Sequence, residues 1–160
     1  MSDLMIADHA MLDDLVAQAR HSPRRRKNLN FHASNEARCH RLLNAVEPDA
    51  YIPPHRHLGE EKDETMAVIR GRMGFILFDD AGRVVRRIVL GPGQSAAVVN
   101  IPRGAYHTSL SLESGTVFLE AKAGPYAPLT PEERASWAPS EGTEQAPAYL
   151  AEMKALFASL

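Results

Sequence analysis

The sequence predicts an all-β domain, an antiparallel sandwich or barrel, preceded by one helix and followed by others. Three observations carry this. Between Asn28 and Lys122, short runs alternate polar and apolar residues, the period of a half-buried strand. Turn residues interrupt the runs about every ten residues, giving about nine strands and arguing against a βαβ chain. Helical periodicity is confined to the two ends.

At the front, Leu4, Met11, Leu12, Leu15, Val16 and Ala19 form an apolar stripe, so a helix is expected over residues 4–20. Pro23 ends it. Ser22 to Lys27 is then a basic loop, either a solvated surface or an anion-binding edge, since guanidinium groups match phosphate and carboxylate geometry. Strands are expected at Asn28–His32, Arg41–Val46, Tyr51–His57, Glu64–Arg70 and Met73–Phe78. After the turn Asp79-Asp80-Ala81-Gly82, which has hairpin chemistry, come Arg83–Leu90, Ser95–Ile101, Tyr106–Leu112 and Thr116–Lys122. Thr130-Pro131-Glu132-Glu133 reads as a capping box opening a short helix that stops before Pro139. Tyr149, Leu150, Met153, Leu156 and Phe157 mark a last amphipathic helix over about 145–158, placed to cover an apolar sheet face or a partner.

Composition narrows the function. A chain of 160 residues buries a core without covalent staples. Apolar residues are 44% and charged residues 24%, and the net charge of -2 gives no reason to expect nucleic-acid or membrane binding. Cys39 is the only cysteine, which excludes an intrachain disulfide and a thiolate zinc cluster. No apolar run approaches the ~20 residues of a membrane span. Met1 to Asp14 carries acids and no basic n-region, unlike a secretory signal, so a cytoplasmic protein is the default.

The chemistry gathers around Pro54-His55-Arg56-His57. On an extended segment the two imidazoles leave one face about 7 Å apart, and Arg56 leaves the other. Glu64 follows, six residues before Gly71, and Pro102-Arg103-Gly104-Ala105-Tyr106-His107 delivers a further histidine on a later strand. Three imidazoles and one carboxylate suit a divalent transition ion and leave coordination positions open. Elsewhere the readings are two-sided. His32 and Asn30 are either a polar cavity wall or a solvent-facing edge. Glu120 and Lys122 are either an inward pair near the metal or an exposed pair. Tyr126 either closes the cavity mouth or packs under the C-terminal helices. Arg25 belongs to the basic loop.

These segments resemble the two cupin motifs: His55, His57, Glu64 and Gly71 in the first, Pro102, Gly104 and His107 in the second. Within that superfamily the chain looks closest to WbuC-type cupin fold metalloproteins, through Ser22 to Asn28, Glu47-Pro48, Phe78-Asp79, Pro102 to Thr108 and Lys122 to Tyr126. The resemblance implies a double-stranded β-helix (cupin jelly roll): a helix and basic loop over 1–27, a barrel over 28–123 and a helical tail over 124–160, as a single domain. It implies one divalent metal (iron, manganese, nickel, zinc or copper) held by His55, His57, Glu64 and His107. It implies a small anionic or carbohydrate-like ligand, a link to surface-polysaccharide (lipopolysaccharide O-antigen) biosynthesis, and a homodimer as an open option. A non-catalytic binding or sensor cupin and a metal-dependent dioxygenase are the alternatives. Two departures stand out. Six residues separate His57 from Glu64, more than the usual spacing, which leaves Glu61 as a second candidate carboxylate, with Glu64 preferred because Gly71 follows it correctly. Ser111 replaces the usual asparagine beyond the last histidine.

Overall fold

The computed structural model describes residues 4–159. Helix α1, His9–His21, starts later than its apolar stripe because Asp8 takes the N-cap, its carboxylate accepting from the Met11 N–H at 2.9 Å. Leu4 therefore lies outside the helix and is 85% exposed. Leu12, Leu15, Val16 and Ala19 form the buried face.

Among the described residues eight strands follow. β1 is Arg26–Asn30, β2 Cys39–Val46, β3 Glu64–Arg70 and β4 Met73–Phe78. β5 is Val84–Leu90, β6 Val98–Ile101, β7 Tyr106–Ser111 and β8 Thr116–Ala123. They form two antiparallel sheets, ordered β1-β2-β8-β3-β6 and β5-β4-β7. The expected ninth strand, Tyr51–His57, is absent. Pro53 and Pro54 carry no N–H to donate to a ladder, and only His55 is bridged, to His107 and to Arg134. The first strand also lies earlier than expected, so His32 falls beyond its end.

Three apolar layers hold the sheets. Between them lie Met66, Val68 and Phe118 of one and Met73, Phe75 and Leu90 of the other. Helix α1 covers the outside of the five-stranded sheet, on Leu43, Ala45 and Val117. The tail covers the outside of the three-stranded sheet: Leu150, Met153 and Phe157 pack on Ile76, Phe78 and Leu110. This double burial is why β4, Met-Gly-Phe-Ile-Leu-Phe, is apolar on both faces. Burying each large tail side chain contributes roughly 1.5–3 kcal/mol. Gly74 leaves room for the Phe157 ring, which lies 2.8 Å from where a Cβ would stand.

The expected short helix after Thr130 is a single 3-10 turn, Pro131–Glu133. Glu133 reaches back to the Thr130 N–H at 2.9 Å as the capping box requires. The helix stops there because Arg134 and its neighbours hydrogen-bond with Pro54–Arg56 instead: Arg56 N donates to Glu133 O at 2.9 Å and Ala135 N to Pro54 O at 3.2 Å. Helix α2 is Ala146–Ala155. Among the described residues no helix is long and apolar enough to cross a membrane.

Candidate metal centre

Backbone hydrogen bonds bring the two motifs together. His55 N donates to His107 O at 3.0 Å, and His107 N returns a bond to His55 O at 2.8 Å. Gly104, at φ +82° in the turn before β7, donates to His57 O at 2.8 Å. Asp63 Oδ1 accepts from Arg103 N at 2.9 Å, which ties the long loop after His57 to that turn. Glu64 opens β3 on the same inner face. One ligand atom from each of His55, His57, Glu64 and His107 lies within 4.8 Å of the others, and a group of this kind can hold a metal ion. Glu61 stands apart, exposed at φ +56° in the preceding turn.

The rings are oriented from behind. His55 Nδ1 donates to Pro53 O and His107 Nδ1 to Ala105 O, each at 2.9 Å. That assigns the hydrogen to Nδ1 and leaves the Nε2 lone pair free, the arrangement used by metal-binding imidazoles. His57 Nε2 donates to Glu64 Oε2 at 2.8 Å. His107 Nε2 is buried and has no hydrogen-bond partner, 3.8 Å from Glu64 Oε2. A buried nitrogen left unpaired costs about 1–3 kcal/mol, and a cation among these donors removes that cost. Protonation states suit the same end. Burial, then His107, pushes His55 down to about 3. Burial also lowers His107. Burial opposes the charge on Glu64, but the His57 hydrogen bond and the Lys122 ammonium outweigh it and hold the carboxyl below its usual range. Neutral imidazoles and an ionised carboxylate are the forms that bind metals.

The family described as Domain of unknown function (DUF6016) matches residues 7–90, more than half of the chain. The chain belongs to that family. The DUF6016 match takes in α1, the basic loop and three of the four clustered residues, and ends before His107. No curated protein matches. Among solved structures the DUF6016 chain is similar to KdgF from Halomonas sp., at 16% identity and TM-score 0.51, over 67% of this chain and 85% of that one. It also matches a cupin superfamily protein from Desulfitobacterium hafniense, at 14% identity and TM-score 0.48, over 61% of this chain and 76% of that one. A third match is the oxalate decarboxylase of Bacillus subtilis, at 23% identity and TM-score 0.45, over 56% of this chain; the DUF6016 chain spans only 22% of that protein. The likeness to KdgF is one of fold, the two-sheet antiparallel cupin jelly roll.

In this DUF6016 chain a cleft of about 540 Å³ opens onto the centre, with His55, His57, Lys62 and Lys122 among its lining. Glu120 and Lys122 point inward: Lys122 Nζ lies 2.6 Å from Glu120 Oε1 and 3.9 Å from Glu64 Oε2. Asn44 donates to the other Glu120 oxygen at 2.9 Å. Burial opposes the Lys122 charge, but Glu64 and Glu120 raise its pKa overall. Tyr126 stands at the cleft, 58% exposed, and is not packed beneath the tail.

Three expected pocket residues lie elsewhere. His32 sits past the end of β1, stacked on His40 with ring centroids 4.0 Å apart, so the ring lining the cleft is that of His40. Asn30, on edge strand β1, is exposed and accepts a hydrogen bond from Asn28. Arg25 pairs with Asp49 at 2.8 Å and lines a separate cleft of about 810 Å³ beside α2. Arg56 leaves the opposite face from the imidazoles, its guanidinium 4.4 Å over the Tyr106 ring. Sequence reading missed His40 and Lys62. His40 shares a cross-strand row with Lys122 and Glu64, a register no local pattern reveals. Lys62 belongs to the lengthened loop and donates to Ala123 O at 2.6 Å and Pro125 O at 2.8 Å, closing one side of the cleft.

Proposed function

We propose that this chain is a mononuclear divalent-metal cupin, in which His55, His57, Glu64 and His107 hold one transition ion and a small anionic, carbohydrate-like molecule binds beside it. The observation that carries this reading is His107 Nε2, buried, without a hydrogen-bond partner, and grouped with two further imidazoles and a carboxylate. When bound, the ion supplies Lewis-acid polarisation to a chelating carbonyl, hydroxyl or carboxylate, and iron or manganese would extend this to dioxygen chemistry. The chain's own groups favour an anion. Lys122 and Lys62 line the same cleft as His55 and His57. Lys122 stays charged between Glu64 and Glu120 while lining the cleft. The sequence similarity to WbuC-type cupins favours a sugar of surface-polysaccharide biosynthesis as that ligand.

The test is elemental analysis of untagged protein purified without a nickel column. The expected result is about one transition ion per chain, lost on chelation together with thermal stability. Metal far below stoichiometry, with a melting temperature indifferent to chelator, would overturn the proposal. Iron in the site would move weight to oxygen chemistry, and zinc to isomerisation or hydrolysis. Turnover abolished in a folded His107→Ala variant would favour an enzyme over a binding module.

A further inference from the structure

Three arginines that the metal centre does not use meet in one cleft. It holds about 400 Å³, and Arg24, Arg26, His55, Tyr126, Arg134 and Glu141 are among its lining residues. His55 and Tyr126 also line the cleft over the metal centre, so the two clefts share a wall. Arg134 arrives there by backbone pairing, directly opposite His55 in an antiparallel bridge. Opposed residues of such a pair project to the same side.

The charges in this cleft do not balance. Glu141 accepts from Arg24 Nε at 2.9 Å and Nη2 at 2.8 Å, and from Arg26 Nη2 at 3.0 Å. Two guanidinium groups thus share one carboxylate. The Arg26 side chain is only 17% exposed. Among the described residues Arg134 makes no ion pair; its Nη2 donates to Leu129 O at 3.2 Å. A purely structural strut, with Glu141 tying the basic loop to the tail, accounts for Arg24 and Arg26. It leaves Arg134 without a carboxylate and an excess of positive charge beside His55.

We infer that this cleft binds a phosphoryl group, so that the ligand is a phosphorylated molecule whose other end reaches His55. Planar guanidinium forks match phosphate oxygens in pairs, and a dianion suits three of them better than one carboxylate does. Glu141 holds Arg24 and Arg26 in place until the phosphoryl group takes over. It can yield, because its side chain is 32% exposed and the next residue, Gly142, lies in open space at φ +82°. The second end of the ligand rests on the metal-centre reading; the phosphoryl site does not.

Calorimetric titration of the full chain with inorganic phosphate tests this, on protein as purified and again after chelation. Saturable binding is expected in both. Arg134→Gln, which breaks no ion pair, should weaken it about tenfold, the loss of one charge-assisted hydrogen bond. Glu141→Gln should tighten it by removing the internal competitor, and acetate should bind at least tenfold more weakly than phosphate. No saturable binding, an Arg134→Gln titration like that of the parent, or acetate equal to phosphate would each overturn the assignment. Binding only to the metal-loaded chain would also overturn it, by placing the anion on the ion. Phosphate binding by protein that holds metal far below stoichiometry as purified, and whose melting temperature is indifferent to chelator, would uphold this cleft and sink the metal reading.

Discussion

Replacing His107 with alanine should cost more stability when metal is present than when it is absent. The residue is 1% exposed and its ring stacks on that of Phe75 with centroids 6.0 Å apart. Truncating a buried ring costs about 2–4 kcal/mol in packing, and losing the Nδ1 bond to Ala105 O adds about 1 kcal/mol. Against that, the variant no longer buries an unpaired Nε2, which returns about 1–3 kcal/mol. In chelated protein the net loss is therefore about 2 kcal/mol. With an ion at a hundred times its dissociation constant, the parent gains about 2.7 kcal/mol that a variant lacking a ligand loses in large part. The total loss should then approach 4–5 kcal/mol, about twice the chelated value. Urea unfolding of both proteins, with and without chelator, measures the four corners of this cycle. Equal costs in the two conditions would refute a role for His107 in holding an ion.

Three further outcomes follow from the same structure. Glu64→Gln should lower bound metal about tenfold or more, whereas Glu61→Gln should leave it unchanged; elemental analysis showing the reverse would move the carboxylate to Glu61. Metal-free protein should lose stability as pH falls from about 6.5 toward 3, because His55 is pushed down to about 3 when folded and the unfolded chain takes up protons first. His107 shifts in the same direction, so the slope should be of order 1 kcal/mol per pH unit, and denaturation midpoints that stay flat between pH 7 and 4 would contradict it. Gly74→Ala should destabilise by about 1–3 kcal/mol, since its Cβ would stand 2.8 Å from Phe157 ring carbons, and Gly74→Ala in a Phe157→Leu background should cost less in a thermal melt.

Much of this was legible in order along the chain. Glu64–Arg70 and Met73–Phe78 are strands with the expected bounds, because period-2 alternation in the first, a short apolar run in the second and Gly71 between them are local signals. The errors share a cause. Tyr51–His57 reads as a strand, but its prolines cannot donate to a ladder, so it pairs at one residue only. Thr130–Glu133 has a helix start and delivers one turn, because the next residues find a better partner in Pro54–Arg56. Leu4 lies on a helical stripe that Asp8 cuts short.

The sequence by itself singled out the three histidines and preferred Glu64 over Glu61 as the carboxylate, since His-x-His, the glutamate before Gly71 and Pro-x-Gly-x-x-His are short patterns whose spacing sets which side chains share a face; the folded chain groups Glu64 with the histidines and leaves Glu61 in the turn. Tertiary structure decided what surrounds them. Strand register set His40 beside Lys122 and Glu64, and the tail set Arg134 opposite His55. It also sent Arg25 to Asp49 while Arg24 and Arg26 went to Glu141. Those partners lie far apart along the chain, and the hydrogen bonds and packing that choose among them exist only once the sheets and the tail have closed.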